Sequence, residues 1–82
     1  MSDRESNSLG RMLALVLRHA PEKFNVEMDI NGWVNSRELS ESIAKQRRNY
    51  HWLRAWHFEA IADADEKGRY QVEGEMMRAT YG

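Results

Sequence analysis

Among the cationic side chains of this sequence, Arg18, His19 and Arg69 are three that a fold might gather around a phosphate group. Arginine and protonated histidine donate charge-assisted hydrogen bonds, and a guanidinium can hold a phosphate through two parallel bonds. Arg18 and His19 are adjacent, whereas Arg69 lies near the other end of the chain. These residues do not form a self-sufficient active site by spacing alone, so they can act together only if the fold gathers them.

Arg18 and His19 also have an interpretation that needs no ligand. They follow the apolar residues 9–17 and precede Pro21, which is a helix-ending residue. Cations are favoured at a helix C-terminus because they interact well with the helix dipole. From spacing alone, a solvated helix end is the favoured interpretation of the pair, and both interpretations stay open at this point.

Other chemistries find little support in the residue types. The three histidines, His19, His51 and His57, do not have the four-residue spacing of a helical zinc site. There is no cysteine for a disulfide or a thiolate site, and the five glycines are scattered rather than gathered in a phosphate-binding loop. We therefore expect no metal.

A basic segment, residues 45–54, interleaves cations with aromatic side chains. Cations neutralise phosphates and aromatic rings stack on bases, so Arg48 and Arg54 are candidate contacts to nucleic acid. The more common explanation is a solvated charge run beside Trp52 and Trp56 in the core. The net charge of -1 argues against a general nucleic-acid coat.

The length of 82 residues, 41% of them hydrophobic, suits one domain with a thin core. The N-terminus is polar, and the longest apolar run is far shorter than the roughly 20 residues of a membrane helix. We expect a soluble, cytoplasmic monomer that does not contact a membrane.

Apolar periodicity predicts a first helix over residues 8–19, capped by one of residues 6–8. Arg11 and Arg18 fall together on the face opposite the apolar one. The predicted buried face consists of Leu9, Met12, Leu13 and Val16.

A second helix begins after Asn35, which forms a predicted capping box with Glu38. It ends near residues 46–48, with Leu39 and Ile43 as its buried edge.

A third helix is predicted over residues 50–64, with Arg54 and Phe58 facing away from the core. Its predicted buried stripe is Leu53, Trp56, Ala60, Ile61 and Ala64.

Residues 24–34 are predicted to be irregular or briefly extended, with a tight turn at Asn31-Gly32. After Gly68, residues 69–72 and 75–80 are predicted to form two short strands. Three helices followed by a two-stranded hairpin indicate a mainly helical α+β fold, a winged helix-turn-helix domain.

Four motifs, residues 13–22, 29–34, 65–70 and 78–82, resemble in order and spacing the N-terminal lobe of the NAD-dependent RNA 2'-phosphotransferases, the KptA family. The resemblance implies a winged-helix RNA-binding lobe spanning residues 1–82. It also implies a C-terminal, ADP-ribosyltransferase-like lobe that holds NAD and is absent from this chain. On that basis we expect this chain alone to be inactive.

The resemblance also implies a reaction. An RNA 2'-phosphate, left at a tRNA splice junction, attacks the nicotinamide ribose of NAD and nicotinamide leaves. Transesterification then releases ADP-ribose 1'',2''-cyclic phosphate and a clean 2'-hydroxyl. NAD is the co-substrate, and none of its binding residues is expected in this chain.

The family uses an Arg-His-Arg-Arg set, of which the first three members match Arg18, His19 and Arg69. Their implied role is to hold the 2'-phosphate and neighbouring phosphate oxygens, and the last arginine belongs to the second lobe. Arg11, Arg48 and Arg54 are further candidate RNA contacts.

Two other functions stay open. A non-enzymatic winged helix-turn-helix module would place its third helix in the major groove of DNA, with Arg54 and Phe58 at base edges. A protein-interaction domain would bind no nucleic acid.

Overall fold

The computed structural model describes residues 2–18 and 21–80. Within these residues the chain forms helices α1 (Asp3–Arg18), α2 (Ser36–Gln46) and α3 (Ala55–Ala64) and strands β1 (Val34–Asn35), β2 (Tyr70–Glu73) and β3 (Met76–Ala79). Pro21–Phe24 and Arg48–Tyr50 form short 3-10 helices. The fold is α+β and mainly helical, as predicted. The winged helix-turn-helix assignment stays a prediction.

Helix α1 begins at Asp3, so the predicted start at residue 8 is wrong. The Ser2 amide donates to the Glu5 carboxylate at 3.0 Å, and the Glu5 amide donates to the Ser2 hydroxyl at 3.1 Å. This reciprocal pair is a capping box. The backbone hydrogen bond from Ser2 lowers the pKa of the Glu5 carboxyl, which stabilises the charged form beside the helix N-terminus.

The apolar face of α1 packs as its periodicity predicts. Leu9, Leu13 and Val16 are fully buried, and Met12 is partly buried against the core. The helix ends at Arg18. The predicted last helical residue, His19, lies outside the described residues.

Helix α2 agrees with its prediction at both ends. Its N-cap is Asn35, whose side-chain oxygen accepts the Glu38 amide at 2.9 Å, and its last residue is Gln46. Leu39 and Ile43 are fully buried.

Helix α3 begins at Ala55, five residues later than predicted. Arg54 is extended, with φ -134° and ψ 162°, and its amide donates to Nδ1 of His57 at 2.9 Å. The imidazole thus caps the helix from inside its first turn, a role that the sequence analysis missed. The preceding residues form the separate 3-10 turn Arg48–Tyr50.

The predicted orientation of α3 is only partly right. Ile61 is buried and Arg54 is exposed, as predicted, but the positions of the two large aromatic residues are reversed. Phe58 is fully buried, whereas Trp56 is 63% exposed and stacks on the His57 ring, with ring centroids 3.8 Å apart. Apolar residues occur on both faces of this helix, so periodicity does not decide which face packs inward. In the folded domain, Phe58 and Ile61 are the α3 residues that face the hydrophobic core.

The sheet has three strands, not the two that were predicted, in the order β1-β3-β2 with both pairings antiparallel. The central residue Met77 is opposite Val34 on one side and Val72 on the other, and it is fully buried. Strand β1 was missed because two residues are too few to show a period of two. Within residues 2–18 and 21–80, no helix combines the length and hydrophobicity that a membrane crossing requires.

Candidate functional site

An open cleft of about 390 Å³ lies between helix α1, the end of α3 and the start of β2. It joins the first helix of the described chain to its last hairpin. Three arginines and one carboxylate are found among its described lining residues, so this surface favours an anion. The lining residues are Ser6, Asn7, Gly10, Arg11, Ala14, Arg18, Ile61, Ala64, Asp65, Arg69 and Tyr70.

Helix α1 supplies Arg11 and Arg18 from a single face. Seven residues make about two helical turns, so the two side chains lie on the same side, as the sequence predicts. Gly10 and Ala14 also line the cleft, and their small size leaves room beside the guanidinium groups. Arg18 is the last residue of the helix and is half-buried. It therefore occupies a helix end and also faces the cleft, so the two interpretations of Arg18 are compatible.

Arg69 is held by Asp65, the C-cap of α3. Its Nη2 donates to Oδ1 of Asp65 at 2.9 Å, and its Nε lies 3.1 Å from Oδ2 and 3.2 Å from Oδ1. The Arg69 amide also donates to Oδ2 at 2.8 Å, and the Lys67 amide donates to Oδ1 at 3.3 Å. One carboxylate thus fixes both the backbone and the side chain of Arg69.

The environment of Asp65 favours its charged form. The side-chain hydrogen bonds from Arg69 lower the pKa of Asp65 to about 2, even though burial acts in the opposite direction. Asp65 is therefore a carboxylate at neutral pH. Asp63 lies in the last turn of α3, and Asp65 is the C-cap that follows it.

Three further hydrogen bonds hold β2 and the two residues before it against the rest of the site. The Tyr70 hydroxyl donates to the Gly10 carbonyl oxygen at 2.9 Å, which ties β2 to α1. The Thr80 hydroxyl donates to the Gly68 carbonyl oxygen at 2.6 Å, and the Thr80 amide donates to the Arg69 carbonyl oxygen at 2.8 Å. Gly68 has a φ of +60°, which glycine adopts without steric cost.

The basic segment does not contribute to this cleft. The described lining includes neither Arg48, which is exposed, nor Arg54. The Arg54 guanidinium donates to the carbonyl oxygen of Leu53 at 2.9 Å and that of His51 at 3.3 Å. Tyr50, an aromatic residue of the segment, is buried and therefore does not offer its ring face to a base.

Helix α3 is poorly suited to the alternative of DNA binding. Phe58 is buried, so it cannot reach a base edge. The exposed side of α3 carries Glu59 and Asp63 beside Trp56, and these carboxylates would repel a phosphate backbone.

A family model described as RNA 2'-phosphotransferase, Tpt1 / KptA family, matches residues 3–82. The chain belongs to this family. Its recognition from the four motifs is therefore confirmed, and with it the expectation of an enzyme family that acts on RNA. No group of three histidine or acidic residues within the described ranges is arranged to hold a metal ion.

The curated relatives that the chain matches are named as probable RNA 2'-phosphotransferases. The "Probable RNA 2'-phosphotransferase 1" of Archaeoglobus fulgidus is 43% identical over 74 residues, which cover 90% of this chain and 33% of that protein. The relatives from Methanosarcina mazei and Thermoplasma acidophilum are 39% and 34% identical over the whole chain, which covers 38% and 34% of their lengths. The chain thus spans about a third of the length of each of these relatives.

In this member of the RNA 2'-phosphotransferase family, two of the three predicted catalytic residues, Arg18 and Arg69, line one cleft. The third, His19, lies outside the described residues, although it follows Arg18 directly in the sequence. Of the further candidates, Arg11 lines the cleft. The roles of all these residues stay predictions.

Sequence analysis missed Asp65 and Tyr70 as parts of the site. Asp65 precedes Arg69 by four residues, a spacing at which opposite charges often pair, and this was an available signal. No comparable signal exists for Tyr70, because its partner Gly10 is 60 positions away in the sequence.

Proposed function

We propose that this chain is the RNA-binding lobe of an NAD-dependent RNA 2'-phosphotransferase and that the cleft binds the 2'-phosphate. The observation that carries this proposal is the presence of Arg18 and Arg69 in one cleft, although they come from opposite parts of the sequence. Membership of the family supports the same conclusion independently.

The residue types suit the chemistry of a phosphate that is itself the nucleophile. A 2'-phosphate is already an anion, so the reaction needs cations that orient its oxygens more than it needs a base. We assign this role to Arg18, His19 and Arg69. Arg11, about two turns before Arg18 on α1, is proposed to contact a neighbouring phosphate.

The described lining of the cleft carries few of the features that bind a dinucleotide. Its single aromatic lining residue, Tyr70, is largely buried, and its lining contains no glycine-rich loop among the described residues. NAD, when bound by the proposed second lobe, would supply the electrophilic ribose carbon. The residues of this chain hold the RNA phosphate for that acceptor.

The finer features of the proposal follow from the family resemblance. The substrate is the splice-junction 2'-phosphate of tRNA, and the products are ADP-ribose 1'',2''-cyclic phosphate, nicotinamide and dephosphorylated RNA. This chain alone is proposed to bind RNA without turning it over. The protein is proposed to act as a cytoplasmic monomer.

Binding to a matched pair of RNAs tests the proposal. A short RNA with one internal 2'-phosphate and the same RNA with a 2'-hydroxyl are titrated into this chain at fixed salt, with fluorescence anisotropy as the readout. We expect tighter binding of the phosphorylated RNA. Equal affinity for the two RNAs would contradict the proposal.

Two variants test which residues carry the selectivity. Arg18→Ala and Arg69→Ala should each reduce the preference for the 2'-phosphate by about tenfold, because each removes a charge-assisted contact. Arg37→Ala is the matched control. Arg37 is an arginine of α2 that is 82% exposed, lies outside the cleft and pairs with Glu41 at 3.5 Å.

A further inference from the structure

The ion pair between Asp65 and Arg69 differs from an ordinary surface pair. The Asp65 side chain is only 6% exposed, whereas that of Arg69 is 45% exposed. By contrast, Arg37 and Glu41 make one contact of 3.5 Å with exposed fractions of 82% and 69%. Such exposed pairs hold their side chains only weakly, because two long side chains lose entropy when they stay in one geometry. The Asp65 carboxylate is thus almost inaccessible to solvent, which distinguishes this pair from the exposed one.

The hydrogen bonds define the orientation of the Arg69 side chain. Both Nε and Nη2 of the guanidinium donate to the carboxylate of Asp65, so its planar fork is held along one edge. The Asp65 oxygens also accept the backbone amides of Arg69 and Lys67. Since both ends of Arg69 are anchored to one group, neither can turn independently.

The location of Asp65 is unfavourable on charge alone. Its carboxylate lines the same cleft as the arginines, where it must repel a bound phosphate. Because the negative charge of Asp65 lowers the attraction of the site for an anion, any benefit of Asp65 to anion binding must come from its effect on the position of other groups. Holding an arginine in place before binding reduces the entropy lost when the complex forms.

We propose that Asp65 is a positioning residue of this site, which orients the Arg69 guanidinium so that its exposed part meets the RNA 2'-phosphate. This inference rests on the proposed function and deepens it. It identifies the preference for a 2'-phosphate over a 2'-hydroxyl as the property that Asp65 controls.

Charge and position predict opposite effects of Asp65→Asn, which makes this variant decisive. Removing an anion from the cleft should tighten binding of the 2'-phosphorylated RNA if only charge mattered. If Asp65 positions Arg69, the preference for the phosphorylated RNA over the 2'-hydroxyl RNA should fall about three- to tenfold. An unchanged or larger preference would overturn the proposal.

Asp29→Asn is a matched control for the turn chemistry. Asp29 accepts the amides of Asn31 and Trp33 through Oδ1, both at 2.9 Å, and it lies outside the cleft. The two substitutions are identical, and each removes the charge of an aspartate that accepts backbone amides. Asp29→Asn should leave the RNA preference unchanged. An equal loss in both variants would mean that Asp65 acts through the fold alone.

A spectroscopic readout separates orientation from folding. In the wild-type chain, the Arg69 Nε–Hε resonance should be resolved and should shift on addition of the phosphorylated RNA. In Asp65→Asn it should move towards the positions of exposed arginines, while backbone resonances outside residues 63–72 stay in place. An unchanged Arg69 resonance would contradict the proposal.

If Asp65→Asn fails to fold, Arg69→Lys provides a second test of whether the orientation of the Arg69 side chain matters. Lysine keeps the positive charge, but it has no planar guanidinium that could donate two parallel hydrogen bonds to the Asp65 carboxylate. It should lose the 2'-phosphate preference to the extent given for Asp65→Asn, and a wild-type preference would overturn the proposal. If the wild-type chain does not distinguish the two RNAs, the proposed function fails. If it does distinguish them and Asp65→Asn keeps the full wild-type preference, only the role of Asp65 fails.

Discussion

The Tyr70 hydroxyl donates a hydrogen bond of 2.9 Å to the Gly10 carbonyl oxygen across 60 positions of sequence. Tyr70 begins β2 next to Arg69, and Gly10 precedes Arg11 in α1. This bond therefore connects the two walls of the cleft beside two of its arginines. It sets the distance between side chains that the sequence keeps far apart.

Tyr70→Phe should loosen that connection. Loss of the hydrogen bond should reduce the free energy of unfolding by about 0.5–1.5 kcal/mol, and it should also weaken binding of the 2'-phosphorylated RNA. Urea unfolding and anisotropy measure the two effects. Tyr50→Phe is the control, because the Tyr50 hydroxyl is 2.7 Å from that of Ser8, which is not a lining residue of the cleft. Equal effects of the two variants on RNA binding would contradict the role of the Tyr70 bond.

The stability of the protein should depend on Asp65 in acid. Its pKa is lowered from 3.8 to about 2 on folding, so the ionised form is favoured in the folded state. The resulting stability is present above the unfolded pKa and is lost as the pH falls from about 4 towards about 2. Urea unfolding of the wild-type chain should therefore show a steeper loss over this interval than that of Asp65→Asn. Parallel pH profiles would disprove the shift.

The capping box should stabilise α1 from Ser2. Ser2→Ala removes the hydroxyl that accepts the Glu5 amide, and an N-cap substitution of this kind costs about 0.5–2 kcal/mol. Asn7→Ala places alanine within the helix, where it is a better helix former, and should not be destabilising. Thermal unfolding compares the two. A greater loss for Asn7→Ala would favour the helix start predicted from the sequence.

The orientation of α3 can be tested with its two large aromatic residues. Phe58→Ala empties a fully buried site and should cost about 3–5 kcal/mol. Trp56→Ala removes an exposed ring stacked on His57 and should cost less than about 1.5 kcal/mol. Chemical denaturation of both variants gives these values. A larger loss of stability for Trp56→Ala than for Phe58→Ala would instead support the orientation of α3 that the periodicity predicts.

Local signals were sufficient for much of the fold. Asn35 with Glu38 correctly predicted the start of α2, and the two strands predicted over residues 69–72 and 75–80 correspond to β2 and β3. The start and rotation of α3 were not predictable in this way. They depend on the His57 cap and on the burial of Phe58, which are properties of the folded core.

The candidate site needed more than residue spacing. Spacing left Arg18 as a helix end, and only the family motifs linked it to Arg69. The cleft itself is a tertiary feature, since one wall comes from α1 and the other from the residues around β2. The basic segment around Arg48 had the stronger local signal for nucleic acid, yet it lies outside this cleft.

The cleft can form only late in the synthesis of the chain, because its two walls come from opposite parts of the sequence. A nascent chain that has emerged only through α2 already carries Arg18 but has no opposing wall, because Asp65, Arg69 and Tyr70 are still to be added. A ligand that binds to both walls should stabilise the folded domain by mass action, because it binds the folded chain and not the unfolded one. Under the proposed function, tight binding of the RNA therefore requires a chain in which both walls of the cleft have formed.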